Sequence, residues 1–302
     1  MRYCLVSRFQ ASCLGSIIGE SLSNPNDLSE ELKIKQYEPK TWLKHRESAA
    51  FSLIETQNLP PEVFNSLAPE EYVGRSDRAI LLLLPLIIFY ADDLPLFKQT
   101  VFQSNSYLNL QVENIEDILV WVYTVTLALR EKLKINRLIE QIVSGVEIGQ
   151  TSLIEKLKVV QNGLRQSKPL NKVVKELSGL GNPSQVAIAL SLYCFASTPE
   201  NFELAVRRAI QTKYQIQTTA ALTGALAGTY NSLTGIPLNW RTYGNCNRAY
   251  RQAMFVATEL FKTWSGICSP PNNNFRPSTA AFPRTIQPRS TLNIISQAEY
   301  QD

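Results

Sequence analysis

Apolar residues recur along this chain mostly three or four positions apart, the spacing that lines one face of an α-helix. Leu5, Phe9, Cys13, Ile17 and Leu22 form one such stripe, and Trp42, Ala49, Leu53 and Thr56 form another after Pro39. Helix starts are chemically marked. Asn182-Pro183 opens a run to about Ala196 and Thr198-Pro199 opens one to about Thr212, each with a polar cap before a proline at the first helical position. The same spacing predicts helices over 93–103, 115–133, 135–146, 151–160, 170–177, 217–233 and 247–265. Residues 120–126 carry β-branched and aromatic side chains that suit a strand, but they run without a turn signal into Leu127-Ala128-Leu129, so one long buried helix is predicted. Residues 79–91 are almost wholly apolar yet shorter than the roughly 20 residues that span a bilayer, and they read as a buried core helix. An all-α fold, one multi-helix bundle over residues 1–268, follows.

From Ser269 the pattern stops. Pro270, Pro271, Pro277, Pro283 and Pro288 cannot sustain regular structure, and Arg276, Arg284 and Arg289 meet no acid nearby. Residues 269–302 therefore read as a flexible cationic tail, with docking to an acidic protein partner as the second reading.

Composition narrows the class. With 44% hydrophobic and 19% charged residues in 302, the chain has the make-up of a soluble globular protein. Its net charge of +4 is spread along the chain and makes no case for nucleic acid. Five cysteines, widely separated and without a C-x-x-C pair, read as reduced thiols of a cytoplasmic protein. Arg8, Gln10 and Glu20 interrupt the first apolar run, so no signal peptide is expected, and no membrane association either. G-x-S-x-G, H-E-x-x-H, P-loop and G-x-G-x-x-G elements are absent, which weighs against the common hydrolase, zinc and nucleotide-phosphate classes. The single histidine, His45, sits between Lys44 and Arg46 and reads as a solvated surface residue rather than a general base. Asp92 and Asp93 precede a predicted helix and read as caps rather than metal ligands.

Three segments carry a resemblance. Residues 11–22 contain Gly15 and Gly19 four apart and end Gly19-Glu20-Ser21-Leu22, similar to an opening helix G-A-L-x-G-x-A-x-G-D-A-L. Gly74-Arg75-Ser76-Asp77-Arg78, followed by Pro85-Leu86, is similar to G-N-G-x-x-M-R-x-x-P-L. Between 213 and 240, Ala220-Ala221-Leu222-Thr223-Gly224-Ala225-Leu226-Ala227-Gly228 runs on to Ile236-Pro237-Leu238-Asn239-Trp240. The last segment resembles the C-terminal signature of the ADP-ribosylglycohydrolase family, and the three occur in family order. Small residues at Gly224 and Gly228 have their own reading, a face where another helix backbone comes close.

The resemblance implies hydrolysis of a glycosidic bond to ADP-ribose, with two Mg²⁺ or Mn²⁺ ions holding the ribose hydroxyls and a water. In the family the ions are held by aspartates in a G-D-T-D-T element and a T-D-D-T-like element. Here Gln215 and Gln217 stand where the first pair belongs, and Thr41-Trp42-Leu43-Lys44-His45-Arg46-Glu47 stands where the second does, with Glu47 its only acid. Hard cations need anionic oxygen. One unit-charge pair at about 4 Å is worth roughly 4 kcal/mol at an effective dielectric of about 20, so the exchange removes most of the metal affinity. The expectation is a family member that binds no metal cofactor and acts as a binding, scaffold or regulatory module. Its degraded cleft is expected to be lined by Glu20, Glu47, Asp77, Gln215, Gln217 and Thr218 and to accept ADP-ribose or a nucleotide-like ligand. The alternatives are a working hydrolase that removes ADP-ribose from a modified side chain, and a subunit of a larger assembly.

Overall fold

The computed structural model describes residues 4–24, 28–39, 41–56, 74–108, 112–146 and 152–266. Fifteen α-helices and no strand occur among them. In chain order they are α1 (Leu5–Leu22), α2 (Glu30–Lys35), α3 (Thr41–Thr56), α4 (Ser76–Leu82), α5 (Leu84–Phe89), α6 (Leu94–Leu108), α7 (Val112–Leu129) and α8 (Leu138–Gly145). They continue as α9 (Ser152–Arg165), α10 (Leu170–Ser178), α11 (Pro183–Ser197), α12 (Phe202–Gln211), α13 (Ile216–Gly235), α14 (Leu238–Asn245) and α15 (Arg248–Ser265). None of the described helices is long and apolar enough to cross a membrane. The tail from residue 269 lies outside the described residues.

The organising contact is the pairing of α1 with α13. A Cβ at Gly15 would strike the carbonyl of Gly224, one at Gly19 the carbonyl of Ala220, and one at Gly228 the carbonyl of Ala11. The two glycine-bearing segments are therefore partners, and their spacing is dictated by backbone meeting backbone. Helix-interior glycine costs about 1 kcal/mol relative to alanine, which the closer approach offsets through packing along the seam. Around this pair α12 and α11 pack on α13, while α15 covers the other side of α1. α1 and α11 are buried on nearly every face, so the stripe expected on α1 widens to a cylinder of apolar and small residues that also buries Arg8 and Glu20.

Several boundaries differ from those expected, each for a local reason. The apolar run 79–91 is two helices broken at Leu83, because Pro85 brings no N–H to continue the first. α7 stops at Leu129 rather than 133. Glu131 is left-handed (φ 56°), the N–H groups of Lys132 and Leu133 return to the Leu127 carbonyl, and buried Arg8 donates to the Ala128 carbonyl and to Glu131. Thr198-Pro199 closes α11 instead of opening α12. The Thr198 hydroxyl donates to the Cys194 carbonyl, and Asn201 is the cap, its Oδ1 accepting from Leu204 N at 2.9 Å. Asn182 does cap α11, accepting from Gln185 N. α13 carries a break at Ser232 (φ 61°), where the following Leu233 N–H donates to Ser7 Oγ.

Candidate functional site

Three helix N-termini converge on Asp77. α4 contributes Asp77 itself in its first turn, α11 brings Ser184, and α13 brings Thr218 and the preceding Gln215. Each N-terminus presents unpaired N–H groups and the positive end of a helix dipole, an environment that favours an anion. The Asp77 carboxylate is fully buried and accepts Ser184 Oγ at 2.5 Å, while its own N–H donates to the same hydroxyl at 2.8 Å.

The cation facing Asp77 belongs to the chain. Arg75 Nε and Nη2 donate to the two carboxylate oxygens at 2.9 and 2.8 Å, a forked pairing, and Nη2 also reaches Gln215 Oε1 at 3.2 Å. Burial alone would raise the Asp77 carboxyl, but hydrogen bonds and charge from Arg75, with donors Ser184 and Thr218, hold it below its ordinary range. Gln215 sits at φ 40° before α13, exposed, so its amide reaches the guanidinium from the solvent side.

Beneath this lies a second buried cluster. Ser76 Oγ donates to Asp117 at 2.8 Å and lies 3.0 Å from Ser184 Oγ, and Gln185 Nε2 donates to the other Asp117 oxygen at 3.0 Å. Gln185 Oε1 accepts from Ser152 at 2.6 Å and from the buried ammonium of Lys156 at 3.0 Å. The Lys156 pKa is lowered by burial, against the pull of Asp117 and Glu155.

Glu20 and Glu47 are held differently. Glu20 is buried in α1 and accepts the Tyr37 hydroxyl at 2.7 Å, a phenol pushed well above its ordinary value by burial first and by Glu20 next. Arg46 turns inward from α3 and donates to Ser16 Oγ at 2.6 Å, one turn before Glu20. Glu47 is half-buried and raised chiefly by burial, with Arg46 and Arg248 opposing. The side chain of Lys44 lies outside the described residues. His45 is not a free surface residue as expected. It is half-buried, and its Nδ1 is shielded from solvent without a partner among the described residues. Asp93 is a cap, its Oδ1 accepting from Leu96 N at 3.0 Å.

Of the six residues read from sequence, the structure thus gathers Asp77, Gln215 and Thr218 into one polar cluster and ties Glu20 to Tyr37. Gln217 is partly exposed in the first turn of α13. Arg75, Ser184, Asp117, Gln185 and Lys156 were not singled out. The signal for Ser184 and Gln185 was their place in the first turn of a capped helix.

An all-α shell of this arrangement defines a fold class, and the family model for ADP-ribosylglycohydrolase matches residues 78–265, beginning just after Asp77. The chain belongs to that family. The matched span takes in the glycine-bearing segment of α13 and leaves out α1. A solved structure described as an ADP-ribosylglycohydrolase-related protein complex shares the fold, with a TM-score of 0.63 at 16% identity over 85% of this chain and 98% of that one. No curated protein matches the sequence.

Proposed function

We propose that this chain is a non-catalytic member of its family, working as a scaffold or regulatory module in which the protein's own guanidinium stands where the family's fold would hold metal. The observation that carries this reading is the forked Arg75–Asp77 pair with Gln215 as its third partner. A divalent ion at Asp77 would have to displace a guanidinium already neutralising a buried carboxylate. Among the described residues no three of His, Cys, Asp and Glu come together in a way that could hold a metal, and Gln215 and Gln217 would offer a hard cation only neutral oxygen, which supports this reading.

The test is hydrolysis. Peptides carrying ADP-ribose on arginine or on serine, incubated with the full chain and Mg²⁺ or Mn²⁺, are expected to release no ADP-ribose above the protein-free control. Release that a chelator abolishes would overturn the proposal.

A further inference from the structure

An unassigned feature lies at the other end of α11. A cavity of about 720 Å³ opens between the 3-10 turn Ile135–Arg137, α8, α9, the turn into α10 and the ends of α11 and α12. Tyr193 on its wall is nine residues from Ser184, about 14 Å along the helix axis, so the cavity is separate from the Asp77 cluster. Its volume is within the range of small-molecule pockets, about 300–1,000 Å³.

Four cations line it, Arg137, Arg165, Lys168 and Arg208, and no Asp or Glu is among the described residues that do. Two of the four are neutralised from outside the cavity. Arg165 Nη2 lies 2.8 Å from Glu140, and Lys168 Nζ lies 2.9 Å from Glu176. Arg137 and Arg208 have no carboxylate partner among the described residues. The Arg208 guanidinium rests 5.9 Å from the centre of the Tyr193 ring, and its Nε is shielded from solvent without a hydrogen-bond partner. Tyr193 in turn donates to the Lys168 carbonyl at 2.5 Å, which fixes the turn between α9 and α10 against α11. The remaining wall mixes apolar Ile135, Leu138, Leu164 and Ala196 with polar Asn136, Gln161, Ser167 and Ser197.

An occupant with an anionic end and a body that meets both apolar and neutral polar atoms fits this lining. Two uncompensated guanidinium groups match a charge near −2. A phosphomonoester carries about −1.5 to −2 at neutral pH, whereas a carboxylate carries one charge. Arginine is also the side chain whose fork fits phosphate oxygens. We propose that this cavity binds a phosphomonoester with a flat or apolar body, its phosphate gripped by Arg137 and Arg208 and its body against Leu138 and Leu164. The site stands independently of whether the Asp77 cluster has any activity.

Titration calorimetry on the full chain tests this with AMP and phenyl phosphate as probes, and with adenosine and inorganic phosphate as the body and the anion alone. At least one of the two esters is expected to bind saturably, adenosine not at all, and inorganic phosphate more weakly than the ester. Arg208→Gln and Arg137→Ala are each expected to weaken the ester about tenfold or more, the loss of a charge-assisted hydrogen bond. Arg251→Ala, which removes the same charge from α15, is expected to leave it unchanged. Should Arg208→Gln fail to fold, the exposed Arg137→Ala carries the comparison. The site is refuted if neither ester binds, if adenosine binds as well as AMP, or if affinity survives both Arg137→Ala and Arg208→Gln.

Discussion

Along α13, the stretch from Ala220 to Gly228 meets α1 backbone to backbone, whereas the first turn of the same helix meets α4 through an arginine, a carboxylate and an amide. The first contact is steric. It asks only that side chains be small, and it is indifferent to any ligand. The second is electrostatic, and any cation of the right reach satisfies it, whether an ion from solution or a guanidinium from the chain. On the proposed reading, one helix keeps its place in a family fold while the chemistry at its tip is rewired.

The largest effect should come from breaking the seam. Gly224→Val drives two methyl groups into the Gly15 carbonyl, and the pair can separate only by shifting α1 off α13. A loss of about 3 kcal/mol or more is expected, read as a fall in the urea midpoint. A midpoint near wild type would mean that the two helices are not in contact there.

Arg75→Ala should cost less, about 2 kcal/mol, because Ser184 and Thr218 still donate to the stranded carboxylate. A comparison with pH sharpens this. In the wild type Asp77 is held below its ordinary value of 3.8, so its contribution is present above that pH and is lost as pH falls through the lowered value. Without Arg75, burial dominates and raises the carboxyl, so its contribution to stability falls as pH rises past 3.8. The stability gap between the two proteins should accordingly be widest near neutrality and narrow in acid. A gap that does not change with pH would show that Asp77 is not the group Arg75 serves.

The smallest effect is expected from deleting residues 269–302. Thermal stability should be unchanged, because a segment broken by Pro270, Pro271, Pro277, Pro283 and Pro288 offers no helical apolar stripe to pack on the shell. Binding to an acidic protein partner, if the tail is what docks it, should fall. A protein that loses stability on this deletion would place the tail in the packing of the shell.

The seam was legible in the sequence because Gly15, Gly19, Gly224 and Gly228 at helical spacing have one physical reading, close approach, and only the identity of the partner awaited the fold. Asn182-Pro183 was legible for the same reason, a local signal with a local consequence. The Thr198-Pro199 boundary failed because Thr198 can cap either the helix behind it or the one ahead, and its hydroxyl chose the Cys194 carbonyl. The site was legible only in part. Gln215 and Gln217 stand out against the family pattern, yet the partner of Gln215 is 140 residues away in sequence, and although Asp77 is only two residues from Arg75, the spacing alone does not say that the two fork together in a buried site. His45 was misread in the same way, because flanking charges say nothing about the direction in which a helix turns its faces.

The central claim is that Arg75 supplies the cation at Asp77. Manganese titration of the full chain, followed by the loss of the free Mn²⁺ electron paramagnetic resonance signal, tests it most directly. The account predicts that the signal tracks added metal as it does in buffer, with no stoichiometric binding. Two ions taken up per chain, and released when Asp77 is changed to asparagine, would contradict it.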